Sequence, residues 1–424
     1  MTSYNRFYKR ALALLLVLAM GIAGMSSLGA FSASATVEHR YNSDSLVRTS
    51  LSEIENVLTS TSYSDYLKIY GSAAAAKSVI QIDLVKELDP EDTTATYNFV
   101  RPGDDLSLYN NSTGSSTLAL PDGAEAVILC GDDGRVSFRI HVSESGFYNI
   151  NVGYYTGNVS VYAIERDEDG KPVLQANGDP TVDRSNLISG GNYAAIERYI
   201  LIDGKVPYSE ARSIELSRIW NDLYEFTNKD GETVQMLSDS EEFKQFVREH
   251  YADYDSNRPF PKDGNGNELK PEKTLVSQWT EAYLYDSTGY YNDPLSFYLE
   301  EGEHVISFQA VRETVAIDRI TLCHAESAPS YDEYYASKGG DSAIYKGDAQ
   351  VIVQAEYPTT VSERTIYQLN NRSSVFSQPQ DPALIRLNMI GGEKWEYVGQ
   401  WVEWEVVVPE AGFYSIIPRS RQSY

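Results

Sequence analysis

Residues 136–150 read VSFRIHVSESGFYNI, and residues 402–416 read VEWEVVVPEAGFYSI. Aligned without a gap, Val136, Val142, Glu144, Gly146, Phe147, Tyr148 and Ile150 recur as Val402, Val408, Glu410, Gly412, Phe413, Tyr414 and Ile416. Both copies alternate apolar and polar residues: Val136, Phe138, Ile140 and Val142 correspond to Val402, Trp404, Val406 and Val408. That is the period-two signature of a strand with one buried face. A glycine then marks a turn and an aromatic pair restarts an extended segment, so each copy reads as a β-hairpin.

The repeat extends outward in both directions. YSDYLKIYG at 63–71 has its counterpart in YDEYYASKG at 331–339, and the strand-like SVIQIDL at 78–84 has its counterpart in QVIVQAEY at 350–357. Between the copies run further short β-like segments: RYILIDGKVPYSEAR, IELSRIW, VSQWTEAYLYD, PLSFYLEEGEHVISFQAV and AIDRITLCHA. Many short strands separated by turn residues predict a β-sandwich. One interruption is helical, SDSEEFKQFVREHYA at 238–252, with Ser238 and Glu241 at capping-box spacing and Phe243, Phe246 and Val247 on one face. The stretch 221–275 therefore reads as an insertion on a sandwich edge. The expected organisation is a helical lead-in over 36–71, one sandwich over 72–326, and a partial second copy over 327–424. The second copy stops at a point equivalent to about residue 158 of the first, so the expectation is a fragment of a longer protein.

Arg6, Lys9 and Arg10 precede the apolar run ALALLLVLAMGIAGM, and Ala33-Ser34-Ala35 follows it. This predicts a secretory signal peptide over 1–35. An uncleaved membrane anchor is the competing reading, and the glycines and serines after Met20 weaken it. No cysteine lies near the cleavage region, which argues against a lipid anchor. The chain carries 61 acidic against 35 basic residues, a formal charge of −26, which repels phosphate backbones and excludes nucleic acid as a natural partner. The two cysteines, Cys130 and Cys323, both sit in strand-like runs, so a disulfide and two buried thiols remain equal alternatives.

In order, the Glu-x-Gly-Phe-Tyr segment, Ile202-Asp203-Gly204-Lys205-Val206-Pro207, a tryptophan, Leu299-x-x-Gly302-x-His304-x-Ile306 and Ile317-Asp318-x-Ile320-x-Leu322 resemble the galactose-binding-like β-sandwich of carbohydrate-binding modules. More closely, YILIDGKVPYSEARSIELSRIW, NGNELKP, FYLEEGEHVISF and PSYDEYYA resemble the N-terminal region of large bacterial extracellular solute-binding proteins of sugar ABC transporters. The resemblance implies a mainly β, galactose-binding-like jelly-roll fold, a glycan or oligosaccharide partner, and transporter membrane subunits engaged by lobes lying further along the family's chains. It also implies a structural calcium, flanked in the first sandwich by Asp83 and Asp318 and, in the second, by Glu356 at the early-strand position.

The residues themselves favour binding over catalysis. There is no Gly-x-Ser-x-Gly, no His-Glu-x-x-His, no phosphate-cradling glycine loop and no metal-ligand spacing among five histidines. The carboxylates are numerous enough to supply a glycosidase pair by number alone. DGNGNELKPEKT from Asp263 lacks the glycine and glutamate a calcium loop requires and reads as a solvated turn. Tyr290 and Tyr291, in the turn-rich DSTGYYNDP, are the surface candidates for stacking on a sugar ring. Trp220 and Trp279 are further candidates, although like Trp395 and Trp404 they more often pack a core. The expectation is thus a secreted, non-enzymatic carbohydrate-binding region. The alternatives are a structural spacer or adhesion region, or an accessory module of a secreted glycoside hydrolase.

Overall fold

The computed structural model describes residues 61–89, 96–110, 118–189, 193–227, 231–250, 258–344, 346–347, 350–393, 395–396 and 398–421. All of them lie in one compact unit, Ser60–Tyr424. The expected signal peptide and most of the helical lead-in fall outside the described residues. No helix among the described residues is long and apolar enough to cross a membrane.

The chain opens with α1 (Tyr63–Ile69) and continues through β1 (Ile80–Gln81), β2 (Tyr97–Val100), β3 (Val127–Cys130), β4 (Arg135–Val142), β5 (Gly146–Tyr155), β6 (Ser160–Ile164) and β7 (Val182–Ser189). There follow β8 (Ile196–Ile202), β9 (Ile214–Leu216), β10 (Ile219–Thr227), β11 (Thr233–Leu237), α2 (Glu241–His250), β12 (Glu272–Val276), β13 (Trp279–Tyr283), β14 (Ser296–Leu299), β15 (Gly302–Arg312) and β16 (Val315–Cys323). Last come α3 (Tyr331–Ser337), β17 (Thr360–Val361), β18 (Tyr367–Leu369), β19 (Met389–Gly391) and β20 (Val402–Glu403).

The protein is mainly β and its first body is an antiparallel sandwich. One sheet runs β13-β5-β16-β3-β2, with β14 added beside β5 and β1 beside β16; the other runs β4-β15-β8-β9. Alternation sets the core: Val136, Phe138, Ile140 and Val142 on β4, and Tyr148, Ile150, Val152 and Tyr154 on β5, are all buried. The first sheet is covered on its other face as well, where Val100, Tyr109, Leu118, Val127, Leu129, Tyr155, Val159 and Val161 form a second apolar cluster.

The expected hairpin at 136–150 is corrected by the strand pairing. β4 pairs with β15, whereas β5 pairs with β13, β14 and β16. The turn at Ser143–Ser145 therefore carries the chain from one sheet to the other. The near-continuous burial of β5 explains this, because a strand covered on both faces belongs in the middle of a sheet rather than at a hairpin edge. Gly146 also has a different task from a turn residue: a Cβ there would lie 3.0 Å from the Ala74 carbonyl and the Ala76 amide, so glycine lets that backbone close in. The second copy is not a hairpin either. Only Val402–Glu403 forms a strand, paired with β17, and Phe413 makes a single parallel bridge to Ile344. The strand-like 350–357 contains no strand.

The stretch read as an edge insertion forms a sheet with the region that follows the sandwich. β10 takes β11 and β12 on its two sides and meets β17 at Trp220↔Val361; β17 in turn pairs with β20. Tyr224, Phe243, Val247, Phe260 and Leu387 make one core of this second body, and Trp220, Val361, Ile366 and Ile390 another. α2 contributes Phe243 and Val247 as its periodicity predicts, but the cap is Ser240, whose hydroxyl accepts from the Phe243 amide at 3.2 Å. Ser238 is instead buried against the sheet, donating to the Thr359 carbonyl at 2.6 Å.

The cysteines are free. Cys130 lies across from Val315 at one end of β16 and Cys323 at the other end, roughly 26 Å away at about 3.3 Å per residue. No disulfide can span that separation.

Candidate functional site

The loop after β13 carries an exposed aromatic residue on a hydrogen-bonded turn. Its organiser is Asp286, whose buried carboxylate accepts from the Thr288 amide at 3.0 Å, the Thr288 hydroxyl at 2.6 Å, the Tyr290 amide at 2.8 Å and the Tyr291 amide at 3.3 Å. Aspartate supports such a turn because a short carboxylate can collect donors from the residues just ahead of it. The neighbouring Ser287 hydroxyl donates to the Ser213 carbonyl at 2.7 Å, tying the loop to the end of β9's approach. Gly289 adopts φ +71°, and a Cβ there would sit 2.0 Å from Val398 Cγ1, so only glycine admits this contact with the second body.

The result separates the two tyrosines. Tyr290 is 85% exposed. Tyr291 is turned inward, its ring set edge-on to Tyr63 with centroids 4.8 Å apart. Of the tryptophans, Trp220 is buried in the second body against Tyr193. Trp279 packs on Tyr155 with centroids 5.4 Å apart and donates its indole N–H to the Ala119 carbonyl at 2.6 Å. Trp404 donates to the Ala355 carbonyl at 3.2 Å. These indoles serve packing, and Tyr290 is the candidate that keeps an open ring face.

Of the carboxylates expected around calcium in the first sandwich, Asp83 follows β1 and Asp318 lies on β16, the strand that β1 pairs with, whereas Glu356, expected at the early position of the second copy, lies in the second body. Asp83 is paired with Lys86 at 2.6 Å and accepts from the Val85 and Lys86 amides, and the Lys86 hydrogen bond is the first cause holding its carboxyl below the usual range. Asp318 lies at a bulge of β16, tucked into the space that Gly153 leaves. Burial pushes its carboxyl up, with Arg319 acting against that. Glu356 is buried in the second body, 3.1 Å from Arg258. No group of three or more His, Cys, Asp or Glu able to hold a cation occurs among the described residues. Calcium takes six or more oxygens, and in this structure Asp83 is engaged by Lys86 and Glu356 by Arg258. Asp263, as expected, organises a tight turn, accepting from the Asn265 amide at 2.8 Å and the Asn267 amide at 2.9 Å.

Two features were not legible in the sequence. A shallow groove of about 450 Å³ lies between residues 268–270 and 368–370, with Leu269, Leu369, Ile385 and Leu387 in its wall and Lys270 Nζ 3.2 Å from the centroid of the Tyr367 ring. Glu268, at its base, spends its carboxylate on Arg258, Arg386 and the Leu387 amide. The second feature is Arg198, fully buried in the sandwich. Its guanidinium donates to the carbonyls of Glu197 (2.8 Å), Arg312 (2.7 Å), Gly131 (3.2 Å) and Glu313 (2.8 Å), and burial lowers its pKa to about 10. It joins the loop after β3 to the tight turn between β15 and β16, a structural duty.

The strand pairing and the two-sheet core define the class, an antiparallel β-sandwich. No family model matches the chain, and no curated protein matches it. Among solved structures it is similar to a Podospora anserina GH26-CBM35 β-(1,4)-mannanase, with 8% identity over 61% of this chain and 30% of that one, at a TM-score of 0.22. It is also similar to a Paenibacillus sp. cycloisomaltooligosaccharide glucanotransferase complexed with cycloisomaltoheptaose, with 10% identity over 62% of this chain and 23% of that one, at a TM-score of 0.21. The chain spans less than a third of the length of either enzyme.

Proposed function

We propose that this chain is a non-catalytic carbohydrate-binding β-sandwich region, with Tyr290 as a stacking platform for a sugar ring. The observation that carries the reading is the pairing of an open tyrosine with a rigid base. Asp286 fixes the backbone on both sides of Tyr290, so little ordering entropy is lost when a ring stacks on it. The glycan itself and an exported, sugar-uptake setting beside transporter subunits rest on the motif resemblance alone, since fold does not dictate function.

A single exposed ring supports weak binding. Removing it should cost about 1 kcal/mol, or roughly fivefold in affinity. The test is calorimetric titration of soluble plant polysaccharides into the chain and into its Tyr290→Ala variant. Saturable binding that weakens in the variant supports the site. Absence of binding to every glycan leaves a spacer, and release of reducing sugar would make the region an enzyme.

A further inference from the structure

Alternation along β5 turns Tyr148, Ile150, Val152 and Tyr154 into the sandwich core and leaves Asn151, Gly153 and Tyr155 on the outer side of the first sheet. Tyr155 belongs, with Leu129 and Ala316, to the apolar cluster that covers one end of that outer face. Beyond the cluster the strand register sets Glu281, Gly153 and Arg319 in one row, and Tyr283, Asn151, Thr321 and Gln81 in the next. In the second row Tyr283, Asn151 and Thr321 are half-buried and Gln81 is exposed. The two rows make a polar floor with one aromatic side chain in it.

Two devices shape this floor. Tyr283 stands on β13, yet its hydroxyl lies 3.6 Å from the sulfur of Cys323 on β16, with β5 in between. Neighbouring strands are about 4.8 Å apart, so the side chain lies along the sheet surface, across β5, rather than standing up from it. At the bulge of β16, Asp318 is the extra residue between Ile317 and Arg319, the partners of Tyr154 and Gly153. Its carboxylate falls over Gly153, where a Cβ would lie 2.1 Å from Oδ1, so only glycine admits it. Arg319 turns to Glu281 instead, at 2.7 Å. Among the described residues no other side chain hydrogen-bonds to the Asp318 carboxylate, and none bonds to the side chains of Asn151 or Thr321.

We propose that this face is a second glycan site, for a neutral sugar ring with adjacent hydroxyls. The C–H face of the sugar rests on Tyr283, while its hydroxyls donate to the Asp318 carboxylate and bond to Asn151 and Thr321. The tyrosine row and the aspartate row are two residues apart along the strands, about 7 Å, the span of one such ring with its hydroxyls. An aromatic surface beside unspent acceptors and donors suits a molecule with an apolar face and a polar rim. The carboxylate sets the charge class, because a uronic acid or sulfated ring would place like charges together. The ligand class is the one proposed for Tyr290, but the two sites share no residue.

The test uses the full chain with galactomannan, xyloglucan and dextran as neutral soluble probes and alginate as an anionic one. Cys323 is part-exposed beside the Tyr283 hydroxyl, so a sugar on this face shields it from the thiol reagent DTNB, which a sugar on Tyr290 need not do. Saturation with at least one neutral probe should slow the Cys323 reaction severalfold, and alginate should not slow it. Affinity, read by migration in polysaccharide gels and by the probe concentration that shields Cys323, should fall roughly fivefold in Tyr283→Ala. It should fall roughly tenfold in the near-isosteric Asp318→Asn. In Tyr290→Ala the shielding of Cys323 should persist. Binding without shielding of Cys323, or shielding undiminished in both Asp318→Asn and Tyr283→Ala, would overturn this face and leave Tyr290 standing. Shielding by alginate would overturn the neutral class, shielding lost in Tyr290→Ala would overturn a separate site, and no binding of any neutral probe would overturn both sites.

Discussion

Arg258 Nη1 lies 3.1 Å from Glu356 Oε1, joining the stretch before β12 to a segment 98 residues further along the chain. Both side chains are buried, and the same guanidinium lies 2.9 Å from Glu268 and 5.0 Å from the centroid of the Phe260 ring. Burial pushes the Glu356 carboxyl up from 4.5 to about 6, against the opposing pull of Arg258. Between those two pH values the folded protein holds more protons than the unfolded one, so stability is lost as pH rises through the window. The effect is about 2 kcal/mol. Denaturant midpoints measured from pH 4 to 7 should show the wild type losing ground to Glu356→Gln across this range. A wild type that gains on the variant as pH rises would contradict the assignment.

Arg198 answers to four backbone carbonyls rather than to a carboxylate. Arg198→Met removes every donor and should destabilise the chain by about 1 to 3 kcal/mol for each buried carbonyl left unsatisfied. Arg198→Lys keeps the charge but has fewer donors, and should fall between. Urea unfolding of the three proteins checks the order, and an Arg198→Met variant as stable as wild type would remove the structural role.

Asp286→Ala should release the loop without touching the Tyr290 ring. Amide exchange at Thr288, Tyr290 and Tyr291 is expected to accelerate, with a stability loss of about 1 to 3 kcal/mol. Glycan affinity should drop with it, because the platform loses its rigid base. Unchanged exchange at these three amides would show that something other than Asp286 holds the loop.

Millimolar calcium should leave the melting temperature unchanged in wild type and in Asp318→Ala alike. A calcium-dependent rise that Asp318→Ala abolishes would restore an ion site at that carboxylate.

The thiols should differ sharply in reactivity. Cys130 is buried, and burial pushes its thiol up to about 12, whereas Cys323 is part-exposed with the Tyr283 hydroxyl 3.6 Å from its sulfur. A native thiol titration should modify Cys323 alone, and both cysteines only after denaturation.

The alternation of Val136, Phe138, Ile140 and Val142 placed β4 and its buried face, and the apolar spacing of Phe243 and Val247 placed α2. These are local patterns, and local patterns survive translation into structure. Partner choice does not. Nothing in the period of Trp220 or Val361 names the other as its neighbour, so the sheet that links 219–276 to 360–403 could not be read from either segment. The sandwich crossing at Gly146 was hidden for a related reason: a two-faced central strand and a hairpin strand both start with Phe-Tyr. At the candidate site, the exposure of Tyr290 followed from its turn-rich setting. The burial of Trp220 and the packing of Trp279 depended on strands distant in sequence, and a fully buried arginine has no signature at all until its carbonyl partners are assembled.

Among the described residues β1 pairs with β16 alone, with Ile80 opposite Leu322, and so must wait for it. At a synthesis rate of about 5 to 20 residues per second, the roughly 240 residues between them take on the order of ten to fifty seconds to emerge. During that interval β1 lacks the strand it pairs with. The distant pairing also raises the chain's contact order and slows the search for the native topology. The earliest part of the sandwich to be made is thus among the last to be secured, and a holding chaperone at the ribosome would find its substrate there.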